Sequence, residues 1–226
     1  MRKINIEPFA SIRKLSKPGE LVWSDAHGIG YYPVDDNVYD QAYFEKYMGY
    51  ENTNLGHKLT DFRNSLVNRY YRSSGLIDIG IGSGQFVEYR NTKGLFTFGY
   101  DVNAFGVLWL EARKLFLNPH DYFSVRAISC WDSFEHIKEP ELLVAKVTEY
   151  VFISIPIFRD ESHCRGSKHF RKDEHYWYFT RQGLTQAMRQ CGFLRIHRSK
   201  KETELGREDI ESFVFERIEP WAKSQS

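Results

Sequence analysis

The 226-residue chain has few cysteines, almost no excess charge and no long apolar run. Its three cysteines, Cys130, Cys164 and Cys191, are an odd number without C-x-x-C spacing, which predicts neither a disulfide framework nor a zinc site. A net charge of +1 provides no global field to attract nucleic acid or an anionic membrane. Stretches such as 150–158 are far shorter than the roughly 20 apolar residues of a membrane span. With no signal-peptide apolar region after Met1, a cytoplasmic protein is expected.

The chain divides into two parts by periodicity. Residues 1–71 contain turn signals, then Tyr39, Tyr43 and Tyr47 at helical spacing and a longer helical pattern over 57–71. From residue 75, apolar runs alternate with helical patterns, which predicts a parallel sheet with crossover connections. The predicted strands are 75–79, 95–100, 123–130, 150–157, 193–199 and 212–218, and the predicted helices are 84–92, 103–116, 139–148 and 180–191. The last two strands are close in sequence, which favours antiparallel pairing.

A glycine-rich turn follows the first of these strands. Residues 78–84 read Asp-Ile-Gly-Ile-Gly-Ser-Gly, and Asp101 ends the second strand. Glycines let the backbone turn sharply and approach a ligand, while a carboxylate one strand over can accept both hydroxyls of a ribose. The third glycine of a dinucleotide fingerprint is replaced by Gln85, and a phosphate-loop lysine is missing. The pattern predicts an adenosine-containing cofactor; the alternative is a turn that only connects a strand to a helix.

Two further segments contain candidate catalytic groups. Residues 132–140 follow the third strong apolar run, at the sheet edge where ligands gather in parallel sheets. Within them, Glu135 and His136 either face a ligand or begin a helix. His175 precedes the helix that Thr180 is expected to cap, and is either an active-site group or a hydrogen-bonded structural histidine.

The segment 159–175 is rich in cations and histidines. These are Arg159, Arg165, Lys168, Arg171 and Lys172, with His163, His169 and His175. Such a run is most often a solvated loop, although an anionic acceptor is a further interpretation at this position. A metal site made by these histidines and Cys164 is disfavoured because the spacing fits no common zinc site, so no metal is predicted.

These motifs resemble those of class I S-adenosylmethionine-dependent methyltransferases. Residues 78–84 are similar to motif I of that class, D-x-G-x-G-x-G. Residues 132–140 resemble the D-x-x-E-H-[IL]-x-[DE]-P pattern of the branch that includes ubiquinone-biosynthesis O-methyltransferases, and 175–184 resemble a later histidine-aromatic stretch of the same branch. The segment 43–47 is similar to an aromatic lead-in that lies over the cofactor as a lid.

The resemblance implies an α/β fold with a Rossmann-like class I methyltransferase sheet. That sheet is mostly parallel, ends in an antiparallel C-terminal hairpin and has helices on both faces. Residues 1–71 are expected to form a lid and substrate-recognition extension, 72–219 the S-adenosylmethionine-binding domain, and 220–226 a tail. DNA-base methylation is disfavoured, because Cys130-Trp131-Asp132-Ser133 replaces [DNS]-P-P-[YF] and no cysteine follows a proline.

The implied cofactor is S-adenosyl-L-methionine. Its implied binding residues are Asp78, Gly80, Gly82, Ser83, Gly84, Asp101, Val102, Asn103, Trp131 and Asp132. Asp101 would accept the ribose hydroxyls, and His175 and His136 are the candidate catalytic bases. The expected reaction moves a methyl group to a small-molecule acceptor, with a hydroxyl favoured. Two alternatives stay open: a nucleic-acid-modifying methyltransferase that docks through 159–172, and a catalytically inactive cofactor-binding module.

Overall fold

The computed structural model describes residues 8–34, 39–73 and 75–218, so the predicted tail 220–226 lies outside the described residues. The strands in these ranges are β1 Val22–Ser24, β2 Ile29–Tyr31, β3 Leu76–Ile79, β4 Thr97–Tyr100, β5 Val125–Trp131, β6 Val147–Phe158, β7 Trp177–Thr180, β8 Phe193–Ser199 and β9 Ile210–Arg217. The helices are α1 Phe9–Lys14, α2 Gln41–Glu51, α3 Asn54–Tyr70, α4 Gln85–Thr92, α5 Ala104–Ala112, α6 Pro140–Ala145, α7 Glu161–Gly166, α8 Arg181–Gln190 and α9 Lys201–Glu204. Short 3-10 helices cover Pro119–Asp121 and Phe134–His136.

The strands form one nine-stranded sheet in the order β1-β2-β7-β6-β5-β3-β4, with β9 pairing with β6 and β8. Its central strands β4, β3, β5 and β6 are parallel neighbours. β8 and β9 form an antiparallel hairpin, and β9 also runs antiparallel to β6. The predicted Rossmann-like α/β sheet with an antiparallel C-terminal hairpin is confirmed.

Helices cover both faces of this sheet, as predicted. Alternate residues of β3, β5 and β6 enter two different apolar clusters, because successive side chains of a strand point to opposite faces. One cluster joins these strands to α8 and contains Ile77, Ile128, Ile153, Leu184 and Met188. The other joins them to α3 and contains Leu76, Ala127, Phe152, Leu66 and Val67. Burial on both faces is typical of parallel strands and explains their continuous apolar sequences.

Three short strands are absent from the sequence-based assignment. β1 and β2 form an antiparallel hairpin, and β2 pairs with β7 through Ile29 and Phe179. β7 in turn runs parallel to the end of β6, where Phe158 pairs with Thr180. Each of these strands has only three or four residues, too few to show an alternating pattern. Part of the N-terminal segment therefore lies in the same sheet as the remainder of the chain.

Two predicted helices are too long. The predicted helix 139–148 ends at Ala145 because Val147 already pairs in β6 with Val125. The predicted helix 103–116 ends at Ala112, and Phe116 makes an isolated parallel bridge to Gly99.

Other local predictions agree with the structure. Thr180 caps α8, since its hydroxyl accepts a bond from the main-chain N–H of Gly183 at 2.9 Å. Gly192, with φ of 86°, follows the end of that helix. The three cysteines are buried free thiols. Among the described helices, none combines the length and the apolar character needed to cross a bilayer.

Candidate functional site

A cavity of about 710 Å³ lies at the carboxyl ends of β3, β4 and β5. Its wall includes residues 79–82, 100–103 and 131–133, which directly follow or end those three strands. Parallel strands bring their carboxyl ends to one edge, where α/β proteins bind ligands. Residues from α2 and α3 line the same cavity. Motifs that are far apart in the sequence therefore meet around one space.

The glycine turn after β3 forms part of this wall. Gly80 has φ of 72°, and a Cβ placed there would lie 2.6 Å from the Cβ of Ser133. The hydroxyl of Ser133 donates to the carbonyl of Ile79 at 2.5 Å, which ties the turn to the loop after β5. Gly82, with φ of 58°, also lines the cavity. Both glycines are therefore required by backbone conformation, and Gly80 also by space.

Ser83 and Gly84 are placed differently from the other predicted cofactor residues. The cavity wall formed by the described residues includes Gly80 and Gly82 but neither Ser83 nor Gly84. Gly84 directly precedes α4 with φ of 85°, and a Cβ there would lie 2.6 Å from the ring of Trp109 on α5. The third glycine thus allows two helices to pack closely, and a cofactor contact by Ser83 or Gly84 stays a prediction.

Two aspartates support the turn. Asp78 is buried, and its carboxylate accepts a hydrogen bond from the hydroxyl of Ser129 on β5 at 2.6 Å. Asp101 accepts main-chain bonds from Ile81 at 2.9 Å and from Asn103 at 2.8 Å, one on each carboxylate oxygen. Burial raises the pKa of Asp101, and the main-chain hydrogen bonds, which lower that pKa, offset the effect only in part. A carboxylate has about four acceptor sites, so Asp101 can accept a further donor beside its main-chain bonds.

Val102 and Asn103 extend the wall beside Asp101. Val102 is 70% exposed and lines the cavity. The side-chain oxygen of Asn103 caps α5 by accepting from the N–H of Phe105, and its amide nitrogen donates to the carbonyl of Asp40 at 3.1 Å. Asn103 therefore connects the wall at β4 to the segment that leads into α2.

A tyrosine stripe covers one side of the cavity. The ring centroids of Tyr39 and Tyr43 are 4.8 Å apart, and those of Tyr43 and Tyr47 are 4.9 Å apart. The hydroxyl of Tyr43 donates to that of Tyr47 at 3.2 Å, and all three rings line the cavity. Burial raises the pKa of Tyr43 and of Tyr47. Tyr43 and Tyr47 lie on α2 as predicted, whereas Tyr39 precedes the capping residue Asp40 and is not part of the helix.

A four-charge network forms another part of the wall. The carboxylate of Asp132 accepts from Arg63 at 2.9 Å and from Arg207 at 2.7 and 2.9 Å. The same arginines bind the fully buried Glu202, at 2.9 Å from Arg63 and 2.6 Å from Arg207. Burial alone would raise the pKa of Asp132, but Arg207 and Arg63 lower it to about 2. Asp132 is therefore held in ion pairs at the cavity wall.

Sequence reasoning misses Arg63, Glu202 and Arg207. They are isolated charged residues in segments without a motif, and Arg63 and Glu202 are 139 positions apart. The sequence contains no local signal that would pair them.

Trp131 lies between this network and α4. Its ring is 5.3 Å from the guanidinium of Arg63 and makes an edge contact with Phe86 at 5.4 Å. The indole N–H is buried and has no hydrogen-bond partner among the described residues. Because Trp131 lines the cavity, a water or a bound ligand in that space could accept a bond from this group.

A second group of candidate residues meets at the wall of the same cavity. The rings of His136 and His175 are 4.6 Å apart, and Nε2 of His175 is 4.0 Å from a carboxylate oxygen of Glu135. Nδ1 of His136 is 3.2 Å from the hydroxyl of Tyr39. The main-chain N–H of Tyr176 donates to the carbonyl of Glu135 at 3.0 Å, which joins the two segments. The structure thus brings both predicted catalytic histidines together.

Burial sets the charge state of this group. It lowers the pKa of His136 to about 4, and the pKa of His175 falls well below its usual range through burial and the neighbouring His136. Both imidazoles are therefore neutral near pH 7 and hold a proton only weakly. Burial, with Asp132 nearby, raises the pKa of Glu135 well above its usual value. Glu135 lies within a 3-10 helix and faces His175 instead of capping a helix.

The basic segment 159–175 contains α7, and several of its cations are paired with acids. Arg165 pairs with Glu161, Lys168 with Glu208 and Arg171 with Glu174. His163, Cys164 and His169 do not join His175 in a cluster of metal-ligating atoms among the described residues.

Comparisons with known proteins give one family and a common fold. A family model described as "Methyltransferase domain" matches residues 50–197. One similar solved structure is a chain of the complex between the Haloferax volcanii Trm112 methyltransferase activator and a methyltransferase; its TM-score is 0.58, with 15% identity and coverage of 81% of this chain and 100% of that one. Another is an S-adenosylmethionine-dependent methyltransferase from Clostridium acetobutylicum; its TM-score is 0.55, with 12% identity and coverage of 78% of this chain and 97% of that one.

A third solved structure was obtained with a ligand. It is the magnesium protoporphyrin IX methyltransferase of Synechocystis with bound S-adenosylmethionine, with a TM-score of 0.52, 11% identity and coverage of 81% of this chain and 86% of that one. At these identities the likeness concerns the fold. No curated protein matches the chain significantly.

Proposed function

The chain belongs to the methyltransferase domain family, and we propose that it transfers a methyl group from S-adenosylmethionine to a small-molecule acceptor, with a hydroxyl favoured. One observation carries the proposal. The wall of a single cavity includes the glycine turn and Asp101, here called the cofactor end, and also His136 and His175, here called the acceptor end. A cofactor and an acceptor can therefore lie in one space with their reacting atoms adjacent. Segments 132–140 and 175–184 favour the branch that includes ubiquinone-biosynthesis-type O-methyltransferases.

The cofactor end has the groups that a nucleoside sulfonium needs. Gly80 and Gly82 let the main chain approach the ligand, and Asp101 can accept a bond from a ribose hydroxyl. The exposed Val102 offers an apolar surface for adenine. The indole N–H of Trp131, which has no acceptor among the described residues, offers a donor. A structural neighbour crystallised with S-adenosylmethionine supports this choice of cofactor.

The acceptor end provides alignment and a proton acceptor. In the transfer, the acceptor oxygen forms a bond to the methyl carbon while the carbon–sulfur bond breaks and S-adenosylhomocysteine leaves. The hydroxyl proton passes to a neutral imidazole, and His136 is the more exposed of the two. The hydroxyl of Tyr39 contacts Nδ1 of His136 and so orients the imidazole ring. Alignment of the reactants can supply roughly 7–11 kcal/mol, and a histidine base adds about 10²–10⁴-fold.

The N-terminal segment is included in the proposal as a lid. Its tyrosine stripe covers the cavity, and Asn103 connects it to the cofactor wall. We assign acceptor recognition to this segment, because Tyr39, Tyr43 and Tyr47 present aromatic surface and hydroxyl groups to the acceptor end. The domain division at residues 71 and 72 belongs to the same proposal.

Calorimetric titration tests the cofactor assignment. The native chain should bind S-adenosylmethionine and S-adenosylhomocysteine, and Asp101→Asn should weaken both by about ten- to a few hundred-fold, since charge-assisted hydrogen bonds contribute roughly 1.5–3 kcal/mol. Asp25→Ala, which changes an exposed aspartate at β1, is the control and should bind normally. Equal affinity of native chain and Asp101→Asn would contradict the assignment.

Product formation then separates the remaining functions. A panel of phenols, catechols and aliphatic alcohols should yield S-adenosylhomocysteine with at least one member. Cofactor binding without turnover on any acceptor would instead support an inactive binding module. Docking of nucleic acid through 159–172 is weakened by the ion pairs of Arg165, Lys168 and Arg171 with neighbouring acids. Oligonucleotide binding with a steep salt dependence would support that alternative.

A further inference from the structure

Three metal-ligating side chains meet at the acceptor end of the cavity. Glu135, His136 and His175 each offer one ligand atom, and these atoms all lie within 4.8 Å of one another. Glu135 and His136 belong to the 3-10 helix after β5, and His175 precedes β7. All three residues line the cavity, so an ion bound among them would face the space where an acceptor lies.

The three groups do not satisfy one another. The 4.0 Å between Nε2 of His175 and the nearest oxygen of Glu135 is too long for a hydrogen bond. The other carboxylate oxygen of Glu135 is buried and has no hydrogen-bond partner among the described residues. The whole side chain is only 3% exposed. One buried carboxyl oxygen of Glu135 is thus left without a donor among the described residues, and a metal ion bound in the cluster would satisfy it.

The surroundings hold the ligands in place. The His136 ring is bound by the main chain of Glu174 and by the hydroxyl of Tyr39. The main-chain N–H of His175 donates to the carbonyl of Arg171 at 2.9 Å, and that of Tyr176 donates to Glu135. Contacts to ring nitrogens, as made by His136, orient histidine ligands and fix the imidazole tautomer, while the main-chain bonds hold the two segments together.

We propose that Glu135, His136 and His175 bind a divalent transition-metal ion, for which Zn²⁺ is the best-matched candidate. Two imidazoles and one carboxylate form the ligand set of catalytic zinc sites that keep a position open for water or substrate. Metal bonds of about 2.0–2.2 Å require small side-chain rotations that draw the three ligand atoms together. The sequence-based expectation of no metal concerned His163, Cys164, His169 and His175, and of these four His175 alone belongs to this cluster of described residues.

The ion's role in methyl transfer rests on the proposed function. At the open position it would bind the acceptor oxygen and lower the pKa of the hydroxyl, so that the proton leaves to solvent. The oxygen lone pair then forms the bond to the methyl carbon, and the carbon–sulfur electrons remain on S-adenosylhomocysteine. With the ion bound, His136 and His175 act as ligands instead of bases.

Metal titration tests the site without cofactor or acceptor. Chelator-treated protein should bind one equivalent of Zn²⁺ by calorimetry, and Co²⁺ should give visible ligand-field absorption. Glu135→Gln and His136→Gln should each lower Zn²⁺ affinity by about 100-fold or more, because even the loss of an outer hydrogen-bond partner costs about 10–100-fold. His163→Ala, a histidine outside the cluster, is the control and should bind as the native chain.

The outcomes separate the site from the reaction. Failure of the native chain to bind Zn²⁺ or Co²⁺, or unchanged Zn²⁺ affinity in both glutamine variants, would overturn the proposed site. The variants should retain S-adenosylhomocysteine binding, which shows that they are folded. If metal binds but chelation leaves methyl transfer unchanged, the catalytic role is wrong while the cofactor and transfer assignments stand. Loss of transfer on chelation and its recovery with Zn²⁺ would support that role.

Discussion

Replacing Glu202 by glutamine should destabilise the protein strongly. Glu202 is fully buried and accepts bonds from Arg63 at 2.9 and 3.0 Å and from Arg207 at 2.6 Å. With Asp132, these residues balance two positive charges with two negative ones. Glu202→Gln preserves the side-chain volume but leaves one guanidinium without a compensating charge. Removing one partner of a buried ion pair typically costs about 3–5 kcal/mol.

Urea unfolding followed by circular dichroism measures this effect. Glu204→Gln is the matched control, because Glu204 lies on the same helix and makes an exposed ion pair with Lys201 at 3.2 Å. Exposed pairs contribute about 0–1 kcal/mol, so this variant should lose little stability. The reasoning would be refuted if Glu202→Gln lost no more than Glu204→Gln.

A double-mutant cycle separates lost charge balance from lost packing. Arg207→Met removes one cation, and Glu202→Met removes one anion. In the double variant both changes are present, so one cation, Arg63, stays paired with one anion, Asp132. We therefore expect the double variant to lose less stability than the sum of the single losses, by about 1 kcal/mol or more. Simple additivity would mean that packing and not charge dominates.

Two other predictions concern the turn and acid stability. Gly80→Ala should lower the free energy of unfolding by about 1–3 kcal/mol, since φ is 72° and the new Cβ would lie 2.6 Å from a neighbouring side-chain carbon. Gly49→Ala on α2, with no atom within 4 Å of its Cβ, should not be destabilised, as thermal melts would show. Burial alone would raise the pKa of Glu211, but Arg198 and Arg181 lower it from 4.5 to about 2. The stability from this depressed pKa is present above about pH 4.5 and is lost towards pH 2, so unfolding free energy should fall more steeply there in the native chain than in Glu211→Gln.

The central sheet and the position of the site could be predicted because their signals are local. Buried parallel strands appear as continuous apolar runs, such as the one that ends at Ile79. Parallel strands necessarily bring their carboxyl ends together, so the glycine turn, Asp101 and His136 had to share one edge. Thr180 could be assigned as a cap from its own position before a helix.

The remaining features depend on contacts between distant residues. The ion pairs of Glu202 join residues with no common motif. Gly84 is part of a predicted motif, yet its conformation serves the packing of Trp109. His136 and His175 were each identified, but their meeting with Glu135 depends on how β7 is placed beside β6.

The pairing of β2 with β7 has a consequence for synthesis of the chain. Ile29 has its partner in Phe179, and Phe9 packs on Trp177 with ring centroids 5.0 Å apart. At about 5–20 residues per second, the ribosome needs roughly 8–30 s to add the chain between Ile29 and Phe179. During that time the β1–β2 hairpin has an open edge and the Phe9 ring has no tryptophan to cover it. The first strands to leave the ribosome are therefore among the last to be completed, and chaperone binding to the nascent chain should concentrate there.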